Sequence, residues 1–232
     1  MSKNIIKTQA VKKTFEQGKI KVRALRGIDM EVKKGEFTAI SGPSGSGKTT
    51  LLNMIGCLDN PTSGQVEVAG KEVSKMSKTQ MANLRLHKIG FVFQAYNLVP
   101  VLTAFENVEL VLALQGVDKK KRKKLCLDIL EEVGLKELAS RRPAEMSGGQ
   151  QQRVAVARAV VAKPALILAD EPTANLDSET GARLLEMMRK LNKDHNITFL
   201  FSTHDKMVMD YSSRLISLSD GMIKNDILKQ QN

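Results

Sequence analysis

The amino-acid sequence predicts an α/β fold: a mixed, largely parallel sheet flanked by helices, an antiparallel β-rich opening, and a helical segment inserted into the middle. Three observations lead there. Phe37-Thr38-Ala39-Ile40, a glycine-rich loop at 42–49 and an apolar run from Thr50 to Ile55 give strand, loop and helix in succession. Ala165-Leu166-Ile167-Leu168-Ala169 and Ile197-Thr198-Phe199-Leu200-Phe201 are nearly continuous apolar runs, as in parallel strands covered on both faces. Residues 95–145 carry a helical pattern without a strong strand signal.

Residues 4–41 read as β-rich. Ile28-Asp29-Met30-Glu31-Val32 alternates, and Lys33-Lys34-Gly35-Glu36 turns the chain into the strand before the glycine loop. After the loop helix, Pro61-Thr62-Ser63-Gly64 breaks the chain and Gln65 to Gly70 alternates as a strand. A polar helix is expected from Lys78 to His87, then a buried strand from Ile89 to Phe93 that stops at Gln94. The helical insert breaks near Gly116 and Gly134. Within it, Asp118 is the expected N-cap of a helix that starts with six consecutive basic residues, Lys119 to Lys124. Such a run suits a solvated helix face, or a contact with anionic lipid or an acidic partner. A helix from Met146 to about Ala162 precedes the apolar strand that ends on Asp170-Glu171, and a helix from Ser178 to Asn192 precedes the strand that leads to Ser202-Thr203-His204. Asp220-Gly221 between two apolar stretches predicts a hairpin turn, and Lys229 to Asn232 a frayed tail.

A chain of 232 residues suits one large domain or a domain with a subdomain. Its formal charge of +11 favours an acidic partner: a nucleotide, nucleic acid or an anionic membrane surface. Cys57 and Cys126 stand in unrelated contexts and make neither a disulfide framework nor a zinc site, so a reducing cytoplasm is the expected compartment. The stretch Met1 to Lys7 lacks the apolar core of a secretory signal, and no apolar run approaches the ~18 residues of a spanning helix. Membrane association is therefore expected through a partner or the protein surface.

The loop Gly42-Pro43-Ser44-Gly45-Ser46-Gly47-Lys48-Thr49 satisfies the phosphate-loop pattern G-x-x-x-x-G-K-S/T. Its glycines let successive backbone N–H groups face phosphate oxygens, and the following helix directs its positive end at the same anion. Lys48 reaches the outer phosphates and Thr49 offers its hydroxyl to Mg²⁺. The candidate nucleotide-binding stretch runs from Ser41 to Thr50. Asp170, at the end of an apolar strand, is placed for the same cation, and Glu171 lies next to it as a candidate general base. Gln94 and His204 each follow another apolar strand and are expected at the same sheet edge, either as functional groups or as satisfied polar residues. Phe15 offers an aromatic face for a purine, or is simply core. A guanine-reading N-K-x-D motif is absent, since Asn192-Lys193-Asp194 is followed by His195.

Ser147-Gly148-Gly149-Gln150 opens a second helix with two glycines, a second anion-binding terminus roughly 100 residues beyond the first. One ATP hardly needs two such ends from one chain. Two chains facing head to tail would use both.

With these motifs in this order, the chain resembles the ATP-binding cassette (ABC) ATPases over essentially its full length. The resemblance implies that Gly42 to Thr49 is the Walker A loop, Gln94 the Q-loop glutamine, and Ser147, Gly148, Gly149 and Gln150 the signature. It makes Asp170 and Glu171 the Walker B acid and catalytic glutamate, Asn175-Leu176-Asp177 the D-loop, and His204 the switch histidine. Phe15 matches the aromatic that stacks on adenine, where the family more often has Tyr, and Met146 stands where Leu is usual. By the same resemblance the ligands are ATP and Mg²⁺, with Thr49, Gln94 and Asp170 around the cation and Lys48, Gln94, Glu171 and His204 catalytic. Residues 1–94 and 146–232 would form the ATP-binding core, and 95–145 a helical subdomain that docks transmembrane permease subunits on the cytoplasmic face of the membrane. A second copy of the chain is the other expected partner, and nucleic acid is not expected.

Phe91 to Pro100, Ser147 to Arg153 and Leu168 to Asp177 are similar to the branch of the Lol lipoprotein-release and Mac macrolide-efflux ATPases, with the cell-division FtsE-type ATPases close by. Ala174 departs from the Gly usual there. Two other readings share the site. One is a regulatory complex that signals through the membrane without transport; the other is a soluble ABC protein on DNA or ribosomes. The latter generally joins two cassettes or carries long insertions that are not visible in this chain.

Overall fold

The computed structural model describes residues 4–18 and 20–229, so the tail expected at 230–232 and the first residues of the N-terminal stretch lie outside the described residues. Lys229 itself is tied down, its N–H donating to the Ser213 carbonyl at 2.9 Å, and is not frayed. Strands β1 (Asn4–Gln17) and β2 (Ile20–Lys33) make a long antiparallel hairpin, and β1 pairs on its other edge with β4 (Ser63–Val68), which pairs with the short β5 (Lys71–Glu72). The remaining strands are β3 (Phe37–Ser41), β6 (Ile89–Val92), β7 (Leu166–Asp170), β8 (Thr198–Thr203), β9 (Arg214–Ser219) and β10 (Met222–Leu228). They form a second sheet in the order β10-β9-β3-β8-β7-β6, parallel except at the β10 edge.

The apolar runs have a simple cause. In β3, β7 and β8, alternate side chains enter two different cores. Phe37, Ala39, Ile167, Ala169, Phe199 and Phe201 face one cluster; Ile40, Leu166, Leu168 and Leu200 face the other. A strand alternates its side chains between faces, so a strand buried on both must be apolar throughout. The second cluster lies between the two sheets and contains Ile6, Val66 and Val68 together with Leu51, Met54 and Ile55 of α1 (Lys48–Ile55). α2 (Lys78–Lys88) covers its rim through Met81 and Leu84.

The first cluster gathers α3 (Ala104–Leu114), α4 (Lys119–Glu132), α5 (Gly148–Val160) and α6 (Ser178–His195) on the opposite face. The helical segment thus shares its core with the main sheet. It starts later than its sequence pattern suggests, because Pro100 is followed by a capping box in which Thr103 and Glu106 fix the first turn at Ala104. Asp118 caps α4 as expected, accepting from the N–H groups of Lys120 and Lys121 at 2.9 and 3.2 Å. Gly116 and Gly134 both adopt positive φ at the breaks. A short helix, α7 (Lys206–Tyr211), follows β8 and has too few residues to show a period in the sequence.

Phe201 is fully buried, with its ring 4.6 Å from that of Phe37. Phe201→Ala is expected to lower the unfolding free energy by about 3–5 kcal/mol in urea titration. A loss below about 1 kcal/mol would contradict the two-sided burial of β8.

Candidate active site

Parallel pairing sets the ends of four strands level. Ser41 pairs with Thr203, Asp170 with Ser202, and Val92 with Ala169. The segments that leave these strands meet at the carboxyl edge of the sheet, where open α/β folds bind ligands. There they line a cleft of about 1020 Å³, together with the β1–β2 hairpin and the β9–β10 turn.

Pro43, Ser44, Gly45, Gly47, Lys48, Thr49 and Thr50 line this cleft. Gly47, the residue before α1, has φ +104, and a Cβ there would come 2.7 Å from the Ala24 carbonyl oxygen and 2.9 Å from Leu25 Cδ2. Only glycine fits that position. Lys48 Nζ donates to the carbonyls of Gly42 and Pro43 at 2.7 and 3.1 Å, which holds the ammonium across the mouth of its own loop. Three residues of the candidate stretch do not line the cleft: Ser41, Gly42 and Ser46. The Ser41 hydroxyl lies 3.5 Å from that of Ser217, and Ser46 is buried with a hydroxyl that lacks a partner. Backbone, not side chain, is what these positions offer a phosphate.

Thr49 Oγ1 donates to Asp170 Oδ2 at 3.2 Å, so two hard oxygen donors from the loop and the sheet edge converge at one point. A magnesium ion held by one carboxylate, a hydroxyl and substrate phosphates fits such a pair. Gln94 is exposed and lines the same cleft.

Glu171 sits in the left-handed region at φ +47, a conformation that costs of order 1–3 kcal/mol and persists only where its surroundings hold it. The holding bonds are identifiable. Its N–H donates to the Ser202 carbonyl at 2.9 Å, and its carboxylate accepts from Thr203 Oγ1 at 2.9 Å and from the His204 N–H at 3.1 Å. His204 Nδ1 is 2.6 Å from Oε1. The Glu171 side chain is 14% exposed and the imidazole 72%. The carboxylate is therefore fixed from behind while the histidine faces the open cleft.

At the far end of the cleft Phe15 is 39% exposed and pairs across the hairpin with Val22; Lys13 Nζ lies 5.1 Å from the ring centroid. Phe15 is thus not core. Lys21, Arg23 and Arg26 also line the cleft. The basic alternation Lys21-Val22-Arg23 was a usable sequence signal for them. The Asp220-Gly221 turn, with φ +50 and +72, completes the wall, and the Gly221 N–H donates to the Ser46 carbonyl at 3.0 Å.

Ser147, Gly148, Gly149 and Gln150 are not brought to this cleft. They open α5 with a capping box, Ser147 Oγ accepting from the Gln150 N–H at 3.3 Å, and Ser147 and Gly149 border a separate hollow beside Arg153, Thr180 and Arg183. Asp177 lies outside the cleft too. It caps α6, and the hydrogen bond from the Thr180 backbone N–H holds its carboxyl below the usual range. One chain therefore presents the two candidate anion-binding helix ends in separate hollows.

Polar ties, some buried and some exposed, link these parts, and no local sequence pattern announces them. Gln152 Nε2 donates to the Pro172 carbonyl at 2.7 Å and the Phe93 carbonyl at 3.3 Å. Thr173 Oγ1 donates to Asp205 Oδ2 at 2.7 Å, and Asn175 Nδ2 to the Gln94 carbonyl at 2.9 Å. The Arg158 guanidinium donates to the carbonyls of Tyr96 and Asn97, both at positive φ, and burial pulls its pKa down.

The family model for the ABC transporter matches residues 25–174. The chain belongs to the ABC transporter family. It is an ATP-binding cassette and an ATPase, and no helix among the described residues is long and apolar enough to cross a membrane. The cassette is 49% identical to an uncharacterised ABC transporter ATP-binding protein of Thermotoga maritima, over 96% of this chain and 94% of that one. It is 40% identical to the lipoprotein-releasing system ATP-binding protein LolD of Pseudoalteromonas translucida, over 96% of each. It is also 44% identical to the macrolide export ATP-binding/permease protein MacB of Syntrophobacter fumaroxidans, over 95% of this chain but 31% of that protein. Among solved structures it is similar, at TM-score 0.89 and 41% identity, to the cassette MJ0796, seen as a dimer in a post-hydrolysis state bound to ADP and Pi; the match covers 98% of this chain and 100% of that one.

Gln152→Leu keeps the volume but leaves the buried Pro172 carbonyl without this donor, which costs about 1–3 kcal/mol. The expected result is a lower melting temperature together with slower ATP turnover, measured by calorimetry and phosphate release. Unchanged values of both would show that this amide does not tie the strand ends together.

Proposed function

We propose that the cassette is the ATP-hydrolysing subunit of a membrane complex of the lipoprotein-release or efflux type, with two copies closing head to tail on two ATP molecules and transmitting that closure to transmembrane partners. The observation that carries this reading is the separation of the two anion-binding termini, the loop before α1 and the start of α5, on different surfaces of one chain. A second copy would supply Ser147 to Gln150 to the first copy's ATP, with Asp177 near the shared boundary. The dimeric MJ0796 cassette and the fused permease of MacB support the two kinds of partner.

Within one half-site, Gly45, Gly47 and the first turn of α1 cradle the phosphates, while Lys48 exchanges its two loop carbonyls for phosphate oxygens. Phe15 stacks on the adenine, and Lys21, Arg23 and Arg26 add positive charge along the cleft. Thr49 and Asp170, with Gln94 close by, would hold the magnesium ion, which when bound neutralises charge on the phosphate oxygens. Glu171 accepts the proton of the attacking water, a general-base role worth typically 10²–10⁴-fold in rate. His204 and Thr203 fix the orientation of that carboxylate.

Residues 1–94 and 146–232 act as the ATP-binding core and 95–145 as the helical subdomain. Between them, Leu58, Leu86, Phe91, Phe93 and Val111 line an apolar groove of about 350 Å³. A short helix of a transmembrane partner seats there. The groove draws mostly on the core and less on 95–145 than the sequence suggests. Arg158 and Asn97 also line it, so a load on the groove reaches α5 and the segment after β6 directly. The complex sits on the cytoplasmic face of the membrane.

Glu171→Gln is expected to slow ATP hydrolysis by about 10²–10⁴-fold and to give an ATP-dependent dimer on a sizing column with Mg-ATP. A rate close to that of the unaltered cassette would overturn the role of Glu171; monomer at saturating ATP would overturn the shared site. Purification of the tagged protein from gently solubilised membranes, with mass spectrometry of what accompanies it, tests the partner. A protein with spanning helices is expected, and recovery of ribosomal or DNA-bound proteins alone would refute the membrane assignment.

A further inference from the structure

The helix α4 opens with Lys119, Lys120, Lys121, Arg122, Lys123 and Lys124. Of these, Arg122 is committed to structure: its Nε donates to Glu109 at 2.9 Å and its Nη1 to the Val117 carbonyl at 2.8 Å. The five lysines are exposed and make no ion pair among the described residues. Their placement works against the helix. Cations at a helix N-terminus oppose the macrodipole, and Lys119 with Lys123 and Lys120 with Lys124 are like charges one turn apart, a repulsive spacing. A merely solvated face would gain from acids at these positions.

The surroundings narrow the partner. Leu110 and Leu114, one turn apart at the end of α3, are exposed, Leu114 by 66%. Gln115 Nε2 donates to the Leu86 carbonyl at 2.7 Å, and Leu86 and Val111 line the apolar groove. The lysine cluster therefore begins four residues beyond a side chain bonded to the groove wall, and five beyond Leu114, the second of two uncovered leucines on the preceding helix. Lysines next to exposed apolar side chains are what an anionic bilayer surface recognises, through its headgroup charge and its acyl boundary.

We propose that Lys119, Lys120, Lys121, Lys123 and Lys124, with Leu110 and Leu114, form a contact site for anionic lipid headgroups beside the docking groove. The orientation rests on the membrane-partner reading above; the binding itself requires no partner. Through this contact the cassette is concentrated at the membrane and its helical segment is held against the surface while the ATP cleft stays free, since none of the five lysines lines it.

The test is flotation of the full-length protein with protein-free vesicles of phosphatidylcholine carrying a minority of phosphatidylglycerol, against vesicles of phosphatidylcholine alone, at physiological and at high salt. The quintuple variant K119Q/K120Q/K121Q/K123Q/K124Q is compared with K34Q/K71Q/K78Q/K190Q/K193Q, which removes the same charge from exposed sites elsewhere. The unaltered protein is expected to float with the anionic vesicles only and to lose this at high salt. The first variant is expected to bind about fivefold more weakly per lysine removed, on the order of 10³-fold in all. Its ATPase rate is expected to be unchanged, and the control variant is expected to float nearly as the unaltered protein does. Equal losses in the two variants would reduce the effect to net charge and overturn the site. So would failure of the unaltered protein to float with anionic vesicles, or attachment only when a permease is present, which would make an acidic protein segment the partner. Because the vesicles hold no protein, a negative result leaves the ATP-driven membrane complex standing, and a failed co-purification leaves a positive flotation standing.

Discussion

The central strands β3, β7 and β8 are buried on both faces, and most of what this molecule can do follows from that constraint. Each strand feeds two cores at once, so its interior has no room for a functional group. Chemistry is pushed to the strand ends, where the backbone leaves the sheet and polar groups reach solvent. Because the pairing is parallel and in register, those ends are level: Ser41 beside Thr203, Asp170 beside Ser202. A slip of one residue would turn every side chain to the wrong core, so the burial that stabilises the sheet also fixes the relative heights of the phosphate loop, Asp170 and Thr203. The geometry of the candidate site is in this sense a by-product of hydrophobic register.

Register alone does not hold Glu171 in a left-handed conformation. Its bonds to Ser202, Thr203 and His204 do that, and the neighbouring loops carry further polar ties, several of which α5 gathers. Its first turn carries Ser147 to Gln150, its middle presents Gln152 to the carbonyls of Phe93 and Pro172, and Arg158 near its end grips those of Tyr96 and Asn97. Thr173 and Asp205 join the segment after Glu171 to the one after His204. A rigid helix bonded to two loops, one of which is tied on to a third, makes their movements one movement. This gives a physical route from the apolar groove, which Arg158 and Asn97 line, to the helix end proposed to meet a second copy.

The charge of the chain is unevenly used. Lys21, Arg23, Arg26 and Lys48 line the cleft, where their charge suits a polyphosphate. Arg214 is spent on structure, with the Asp226 carboxylate foremost and Glu36 next raising its already high pKa. The lysines of α4 belong to neither group, and their unfavourable position on the helix dipole is what separates them from ordinary surface charge.

What the sequence by itself determined is local. Strand, loop and helix around Gly42 to Thr49 follow from glycine conformations and an apolar period; the capping of α4 follows from Asp118, and the hairpin turn from Asp220-Gly221. These depend on residues within a few positions of one another, as do the two-sided strands that announce a parallel sheet. Only the tertiary structure decided which strand ends became neighbours, that Thr49 meets Asp170 and His204 meets Glu171, and that Phe15 lines the cleft rather than the core. It alone turned the Ser41 side chain away and revealed Gln152, Thr173 and Asp205. Those facts rest on bonds such as Thr49 to Asp170, whose partners are 121 positions apart in the chain. No local propensity encodes them, because their geometry is set by packing against a shared sheet. Ser147 to Gln150 stand one step further out: their motif is plain in the sequence, yet one folded chain leaves them away from the cleft.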